Sequence, residues 1–470
     1  MTEPTWVSVL PPLLAIGLAI ATRQVYISLA AGVWLGWTIL GGWNPIAGVG
    51  QAIEGMVAVL GDPGNAKVIL FTLVIGALIA TVEASGGVRG FVQWVEEKRW
   101  VTNGRRAQFL AWIVGVVIFI ESNITVLVAG AVSRPLFDRF RISREKLAYI
   151  IDSTSAPICI LIPLNAWGAY VLGLLGTAGV ERPLSVFVGS IPLNFYALTA
   201  VLLTLATVVF GINLGPMKRA ERRTQEGEVL SATASPLLDP DVLSPEPNDR
   251  IPPRAVNMFL PILAMVIMMP ISLFITGDGD LRAGSGSTSV LWAVLTGLAV
   301  AWVLLVAQRA NTVDELTRIG LRGAGGLMSL ALVLLLALAL GAVARELGTG
   351  VYLAQATAGL LPGVIFLPLV FIVAAGIAFS TGTSWGTFAI MIPIAVPAAQ
   401  ALGMPPEPFV AAALSGGIFG DHASPISDTT IIASMAAATD HIDHVRTQLP
   451  YALIAGSVAI TAFAITGALL

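Results

Sequence analysis

Apolar runs recur along the whole chain at the length a bilayer demands, since about 20 residues of helix cross ~30 Å of hydrocarbon. WVSVLPPLLAIGLAIAT, VYISLAAGVWLGWTILGG and VLWAVLTGLAVAWVLLVA are three of them. Lipid gives a backbone amide no partner, so a spanning segment must satisfy its hydrogen bonds internally, and each run reads as a helix. The pattern predicts an all-α polytopic membrane protein. The start, MTEPTW, lacks the basic region of a cleaved signal, so the first run reads as a retained helix.

One long polar segment interrupts the pattern. Residues 215–254, rich in proline and charge, read as a disordered cytoplasmic linker between a first transmembrane repeat (1–214) and a second (255–470). Related features return in both parts: VEASGGV at 82–88 against RELGTGV at 345–351, and DSTSAP at 152–157 against DHASP at 421–425. Their similar offsets imply an internal repeat, a signature of many secondary transporters.

Basic residues collect on the cytoplasmic side of a membrane. Here they fall at Arg23 and within 98–106, 134–146, 218–223 and 309–322. With all five inside, AQFLAWIVGVVIFIESNITVLVAGAVSRPLF begins and ends inside. It divides at Glu121-Ser122-Asn123 into arms of about 14 residues, each ~21 Å as helix and too short to span. This predicts a re-entrant hairpin that enters from the cytoplasm with a polar tip. The matching segment, GVIFLPLVFIVAAGIAFSTGTSWGTFAIMIPIAVPAA, breaks at Ser380–Ser384 between flanks almost free of basic residues, and so enters from outside. The expected architecture is two inverted repeats, each with about five spanning helices and one hairpin, broken helices at mid-membrane, and both termini outside. One continuous span per hairpin segment is the alternative, and it leaves a basic cluster on the wrong side.

After each hairpin comes a helix in which an aspartate is followed by a proline: LAYIIDSTSAPICILIPLNAW and SGGIFGDHASPISDTTIIASMAA. Pro157 and Pro425 each remove an intrahelical hydrogen bond and free carbonyls on the preceding turn. Broken helices at matching points of two repeats point to a midplane ion site. The freed carbonyls, the hydroxyls of Ser153, Thr154, Ser155, Ser424, Ser427 and Thr429, and the carboxylates of Asp152, Asp421, Asp428 and Glu121 form an oxygen-rich set suited to a small hard cation. An ionisable side chain at membrane depth is costly and reads as functional by default. The plainer reading of Asp428 is a cap for the half-helix DTTIIASMAA, and that of Glu121 is a partner for a neighbouring basic residue. The hairpin tips, with Ser122, Asn123 and Thr125 in the first and Ser380, Thr381, Thr383 and Ser384 in the second, could instead grip an organic carboxylate lined by Asn165, Trp167 and Trp385. No arginine or lysine in an expected span pairs with such an anion, which favours a bare cation.

Composition supports the membrane class: 56% of residues are hydrophobic, 11% are charged, and the mean hydropathy is +0.86. A net charge of -3 gives nucleic acid no footing, and the single cysteine, Cys159, excludes an internal disulfide. His422, His441 and His444 are the only histidines, candidates for pH sensing because imidazole titrates near neutrality. Zinc binding by HIDH is weaker, that spacing being common by chance. An intramembrane aspartyl protease would need a Tyr-Asp partner for GIFGDH, and the chain has none. Paired hairpins argue against a channel and for alternating access.

SGGIFGDHASPISDTTIIASMAAATDHIDHVRTQLPYAL resembles the C-terminal signature of the NhaC-type sodium/proton antiporter family, as do STGTSWGTFAIMIPIAVPAA and RISREKLAYIIDSTSAPI. The resemblance implies a secondary transporter of the plasma membrane, not an enzyme, that exchanges cytoplasmic sodium for external protons. It implies no cofactor; the partners are the bilayer, a small cation and, as an open option, a second copy of the chain. Where relatives read Phe-(Phe/Ile)-Asp-Asp at the first hairpin tip, this chain reads Phe119-Ile120-Glu121-Ser122, with one carboxylate lost and the other lengthened. Some family members carry organic acids or amino acids, so cargo and stoichiometry stay open.

Overall fold

A computed structural model describes residues 5–22, 24–97, 101–119, 122–163, 165–232, 234, 252–279, 284–349, 352 and 363–470. Among these every regular element is helical. The first half supplies α1 (Leu10–Thr22), α2 (Val25–Leu40), α3 (Pro45–Gly61), α4 (Pro63–Ala84), α5 (Gly87–Glu97), α6 (Gly104–Val117), α7 (Ser122–Arg139), α8 (Arg144–Ser153), α9 (Ala156–Leu161), α10 (Ala166–Thr177), α11 (Pro183–Ser190) and α12 (Phe195–Phe210). After α13 (Gly215–Gln225), the second half supplies α14 (Val256–Thr276), α15 (Gly286–Ala307), α16 (Val313–Gly326), α17 (Met328–Glu346), α18 (Gly363–Thr381), α19 (Ser384–Ala401), α20 (Pro406–Ala423), α21 (Asp428–Ala437) and α22 (His441–Leu469).

The chain is a multi-pass membrane protein. Six of the described helices are long and apolar enough to cross a bilayer, and two bent pairs, at 43° and 45°, raise the number to eight. The ten spans expected from sequence exceed this count because several apolar helices, α2 and α3 among them, have only 10–17 residues.

Packing sorts the helices into two groups. α1–α5 pack with α14–α17, and α6–α12 pack with α18–α22; the seam is formed mainly by α10 and α19 against α4 and α17. Each half of the chain therefore contributes its early helices to one group and its late helices to the other. The polar breaks fall where the sequence placed them, between α6 and α7 and between α18 and α19. Close backbone approach holds the second hairpin against α20: a Cβ on Gly416 or Gly420 would strike the carbonyl oxygens of Phe371 and Ala375. Small residues let helices meet this closely where no hydrophobic force drives them together. Gly382, at φ +68°, turns the hairpin with its α-carbon against the carbonyl of Ile426, where a side chain would collide.

The segment expected to be a disordered linker begins instead as α13, an ordered strap. Its apolar side buries Met217 and Ala220, and its polar side meets charges at the start of α8. Glu221 accepts hydrogen bonds from the backbone N–H (2.8 Å) and hydroxyl (2.6 Å) of Ser143, the residue before α8. Its other oxygen lies 4.0 Å from buried Lys146, which donates to Asn213 at 2.9 Å. Arg223 pairs with buried Glu145 at 2.7 Å. Beyond the helix, Ser231 donates to Asp443 on α22 at 2.7 Å. Charge-rich sequence suggested disorder, but these charges are neutralised by partners distant in the chain.

Glu221→Ala is expected to destabilise the protein by on the order of 3 kcal/mol, because it leaves Lys146 buried without its counter-charge and the Ser143 donors without an acceptor. Thermal unfolding of purified variants checks this: a lowered midpoint in Glu221→Ala but not in the exposed Glu226→Ala, against equal midpoints if α13 contributes nothing.

Candidate functional site

Two helix breaks face each other. α8 stops at Ser153, and Pro157 near the start of α9 cannot donate the amide that would continue the helix. α20 stops at Ala423, and Pro425 lies in the turn before α21. The hydroxyls at these breaks are largely engaged in capping. Thr154 donates to the carbonyl of Ile150 at 2.7 Å and Ser155 to that of Asp152 at 2.9 Å. Ser424 donates to the carbonyl of Phe379 at 2.8 Å. Ser427 accepts from the N–H of Thr430 and sits 3.1 Å from the Thr429 hydroxyl. The cap of α21 is thus Ser427, and Asp428 is its first helical residue. Ser153 is buried beside these groups.

Asp152 is fully buried, and its carboxylate meets the second half of the chain. One oxygen accepts from the Gln448 amide at 2.7 Å and the Thr430 hydroxyl at 3.2 Å, with His444 Nε2 at 3.4 Å. The other lies 3.6 Å from His422 Nε2. That nitrogen is also 3.0 Å from the Asp152 carbonyl, while Nδ1 is 3.1 Å from the Tyr196 hydroxyl. A carbonyl only accepts, so Nε2 must carry a proton. His422 and His444 are themselves buried. Three helices of the second half, α20, α21 and α22, therefore converge on one carboxylate of the first.

Asp421 precedes His422 but points elsewhere. It accepts from the Ser384 N–H at 3.3 Å and, closely, from the Ser384 hydroxyl, at the first residue of α19. A carboxylate is well placed there, at the positive end of a helix. The same turn is held by Tyr170, which donates to the carbonyl of Trp385 at 2.9 Å, and by Trp167, whose ring centroid lies 4.5 Å from that of Trp385. Thr381 donates into its own helix and Ser380 is half-buried; Thr383 precedes α19 without a side-chain cap bond.

At the first hairpin, Thr125 donates closely to the carbonyl of Ile118, and Asn165 donates to those of Phe119 (2.9 Å) and Cys159 (2.8 Å). Asn165 thus ties this tip to α10, whose first turn it also caps. Ser122 is buried. Glu121 and the side chains of Asn123 and Asp428 lie outside the described residues.

The expected single oxygen cage is thus divided. Asp152 sits with His422 and His444, and Asp421 with the second hairpin tip. His441 is apart, bridging Ser434 (3.0 Å) and the carbonyl of Pro425 (2.6 Å). The sequence reading missed Gln448, Thr430 and Tyr196. Gln448 was within reach, because it follows His444 by one helical turn and shares its face. Tyr196 came from a first-half helix with no local signal. The expectation that no basic residue occupies a span is also corrected: Lys67 lies in α4 and donates to Thr288 at 2.8 Å.

The sequence pattern of the Na+/H+ antiporter family matches residues 171–468. An uncharacterized protein of Haemophilus influenzae is 34% identical over 98% of this chain and 90% of its own length. The malate-2H(+)/Na(+)-lactate antiporter of Bacillus subtilis is 35% identical over 22% of each chain. Among solved structures, the YdaH transporter of Alcanivorax borkumensis has a similar fold, with a TM-score of 0.56 at 14% identity over 90% of this chain and 88% of that one.

Ser384→Ala and Asp421→Asn remove two ends of one hydrogen bond. Each is expected to slow transport at least tenfold, and the double variant by no more than the worse single one, because coupled residues are not additive. Transport rates of the three variants in proteoliposomes test this; multiplied losses would show that the two residues act separately.

Proposed function

The chain belongs to the Na+/H+ antiporter family, and from that premise we propose that it exchanges sodium ions for protons across the plasma membrane by alternating access. The observation that supports this reading most is Asp152: a fully buried carboxylate at a helix break, faced by two buried histidines and by hydroxyl and amide groups from the other half. Bare negative charge at such a place is costly, and a sodium ion or a proton relieves it. The carboxylate oxygens and the Thr430 hydroxyl supply hard ligands for sodium, and protonation of the carboxylate or of the facing imidazoles removes the reason for sodium to stay. Because the two ligands exclude each other at one site, each lowers the other's affinity by the same factor, and a proton gradient drives sodium outward.

Movement belongs to the breaks. The hairpin tips and the α8–α9 and α20–α21 turns lack continuous helix, so they can change conformation without dismantling a span. On this reading the two halves are inverted repeats, and the site at their meeting point is exposed first to one side and then to the other. The chemistry is transfer of ions between compartments, with no bond made or broken.

A second reading is a cation-coupled carrier of an organic acid or amino acid. It gains from Lys67, a cation in the second turn of the apolar helix α4, and from similarity to an antiporter of malate and lactate over part of the chain. Asp152 would then hold the coupling ion, and the aromatic-lined second hairpin tip would hold the cargo.

Proteoliposomes with an internal pH dye, given sodium, lithium, potassium, malate and lactate in turn, separate the two. A pH change with sodium alone supports exchange of sodium for protons; a response only when an organic solute is added supports the second reading. For one-proton competition, the half-saturating sodium concentration should rise about tenfold per unit fall in pH where the proton occupies the site. Asp152→Asn should abolish the sodium response while eluting normally in size-exclusion chromatography. Normal exchange in that variant would exclude Asp152 as the site.

A further inference from the structure

α21 is a helix of ten residues, and it carries Thr430, whose hydroxyl meets Asp152. At about 15 Å it is too short to span a bilayer, so its neighbours set its position. The Thr430 hydroxyl lies 3.2 Å from the carboxylate, already long for an O–H···O bond, and a small shift of α21 would end the contact. The far end of α21 is held from α8. There Arg144, paired with Asp138 at 3.0 Å, donates at 3.0 Å to the carbonyl of Ala438, the left-handed residue (φ +51°) that closes the helix. The end that carries Thr430 is held by a different side chain.

That side chain is His441, the first residue of α22. Its Nε2 lies 2.6 Å from the carbonyl of Pro425, in the turn before α21, and its Nδ1 lies 3.0 Å from the Ser434 hydroxyl. A carbonyl only accepts, so Nε2 carries a proton and donates it. Ser434 in turn lies 2.9 Å from the carbonyl of Thr430, one helical turn earlier. One imidazole thus grips the chain on both sides of Thr430, at Pro425 before it and at Ser434 after it. The ordinary duty of a residue at this place, capping α22, is already filled by Asp440, which accepts from the N–H of Asp443 at 3.0 Å. His441 is half-buried and Thr430 fully buried, so the grip reaches inward from the edge of the fold to the site.

We propose that His441 is a positioning residue for the cation site: by tying Pro425 and Ser434 to the start of α22, it holds α21 where the Thr430 hydroxyl can serve an ion beside Asp152. The inference rests on the reading of Asp152 and Thr430 as ligands. His441 acts through Thr430 and touches no ion itself.

His441→Ala, His441→Gln, Thr430→Val and the double variant of His441→Ala with Thr430→Val, each in the full chain, test this. In proteoliposomes His441→Ala should raise the half-saturating sodium concentration at least fivefold and leave the maximal rate within twofold, because a displaced ligand weakens binding rather than movement. His441→Gln keeps a donor for Pro425 and an acceptor for Ser434, and should stay within twofold of the wild type. Thr430→Val should raise the half-saturating concentration at least as far as His441→Ala, and the double variant no further, since residues that act through one another are not additive. Hydrogen exchange at the amides of α21, read with no transported ion present, should be at least fivefold faster in His441→Ala and unchanged in His441→Gln. The two readings fail separately: a wild type without a sodium response ends the sodium-exchange reading, while exchange at the α21 amides still decides the role of His441. The proposal is overturned if His441→Ala leaves either the half-saturating concentration or α21 exchange unchanged, if His441→Gln behaves as His441→Ala does, or if the losses multiply in the double variant.

Discussion

A carboxylate that no water reaches must be given donors by the protein, and Asp152 obtains them from helices that the chain reaches only in its second half. Gln448, Thr430, His422 and His444 all approach it from α20–α22. Removing one partner of such a cluster leaves the rest buried and unanswered, which costs more than the lost bond itself. Much of the architecture serves this requirement. Each half breaks a helix, after Ser153 and after Ala423, and the two breaks meet.

Breaking a helix inside a membrane creates a second requirement, because each break exposes backbone carbonyls and amides that lipid cannot satisfy. The chain satisfies them with its own side chains. Thr125 and Asn165 serve the first hairpin, Asp421 and Ser384 the second, and Ser424, Ser427, Thr154 and Ser155 the two facing turns. Polar residues that look like a cation cage in sequence are therefore in large part the means by which the breaks exist at all. What is left beside the caps is a smaller buried set centred on the Asp152 carboxylate and enriched in imidazole.

The same logic runs outward from the site. α8 carries Asp152 and α22 carries His444 and Gln448. Both are fastened at their starts by the strap, through Glu221 to Ser143 and through Ser231 to Asp443. Tyr451, one turn beyond Gln448, accepts from the N–H of Leu214 at 2.8 Å and stacks on Tyr149, one turn before Asp152. The segment joining the halves thus holds together the two helices whose side chains form the site. On the other flank, α10 and α19 place the second hairpin against the seam with the other helix group.

The sequence by itself determined the all-helical membrane class and the positions of both hairpin breaks and of both broken helices, the places where Asp152 and Asp421 lie buried. These rest on local causes: run length, proline, glycine and the cost of charge in lipid. Three things needed the tertiary structure. Asp152 and Asp421, at matching positions of the two halves, face different partners, because the direction of a side chain at a break depends on what packs beside it. His422 and His444 join the carboxylate while His441 does not, although all three lie close together in the chain, because a turn of helix decides which side each one faces. And the charged stretch after residue 214 folds as a strap, since the groups that neutralise Glu221 and Arg223 lie across the fold, where no reading of neighbouring residues could find them.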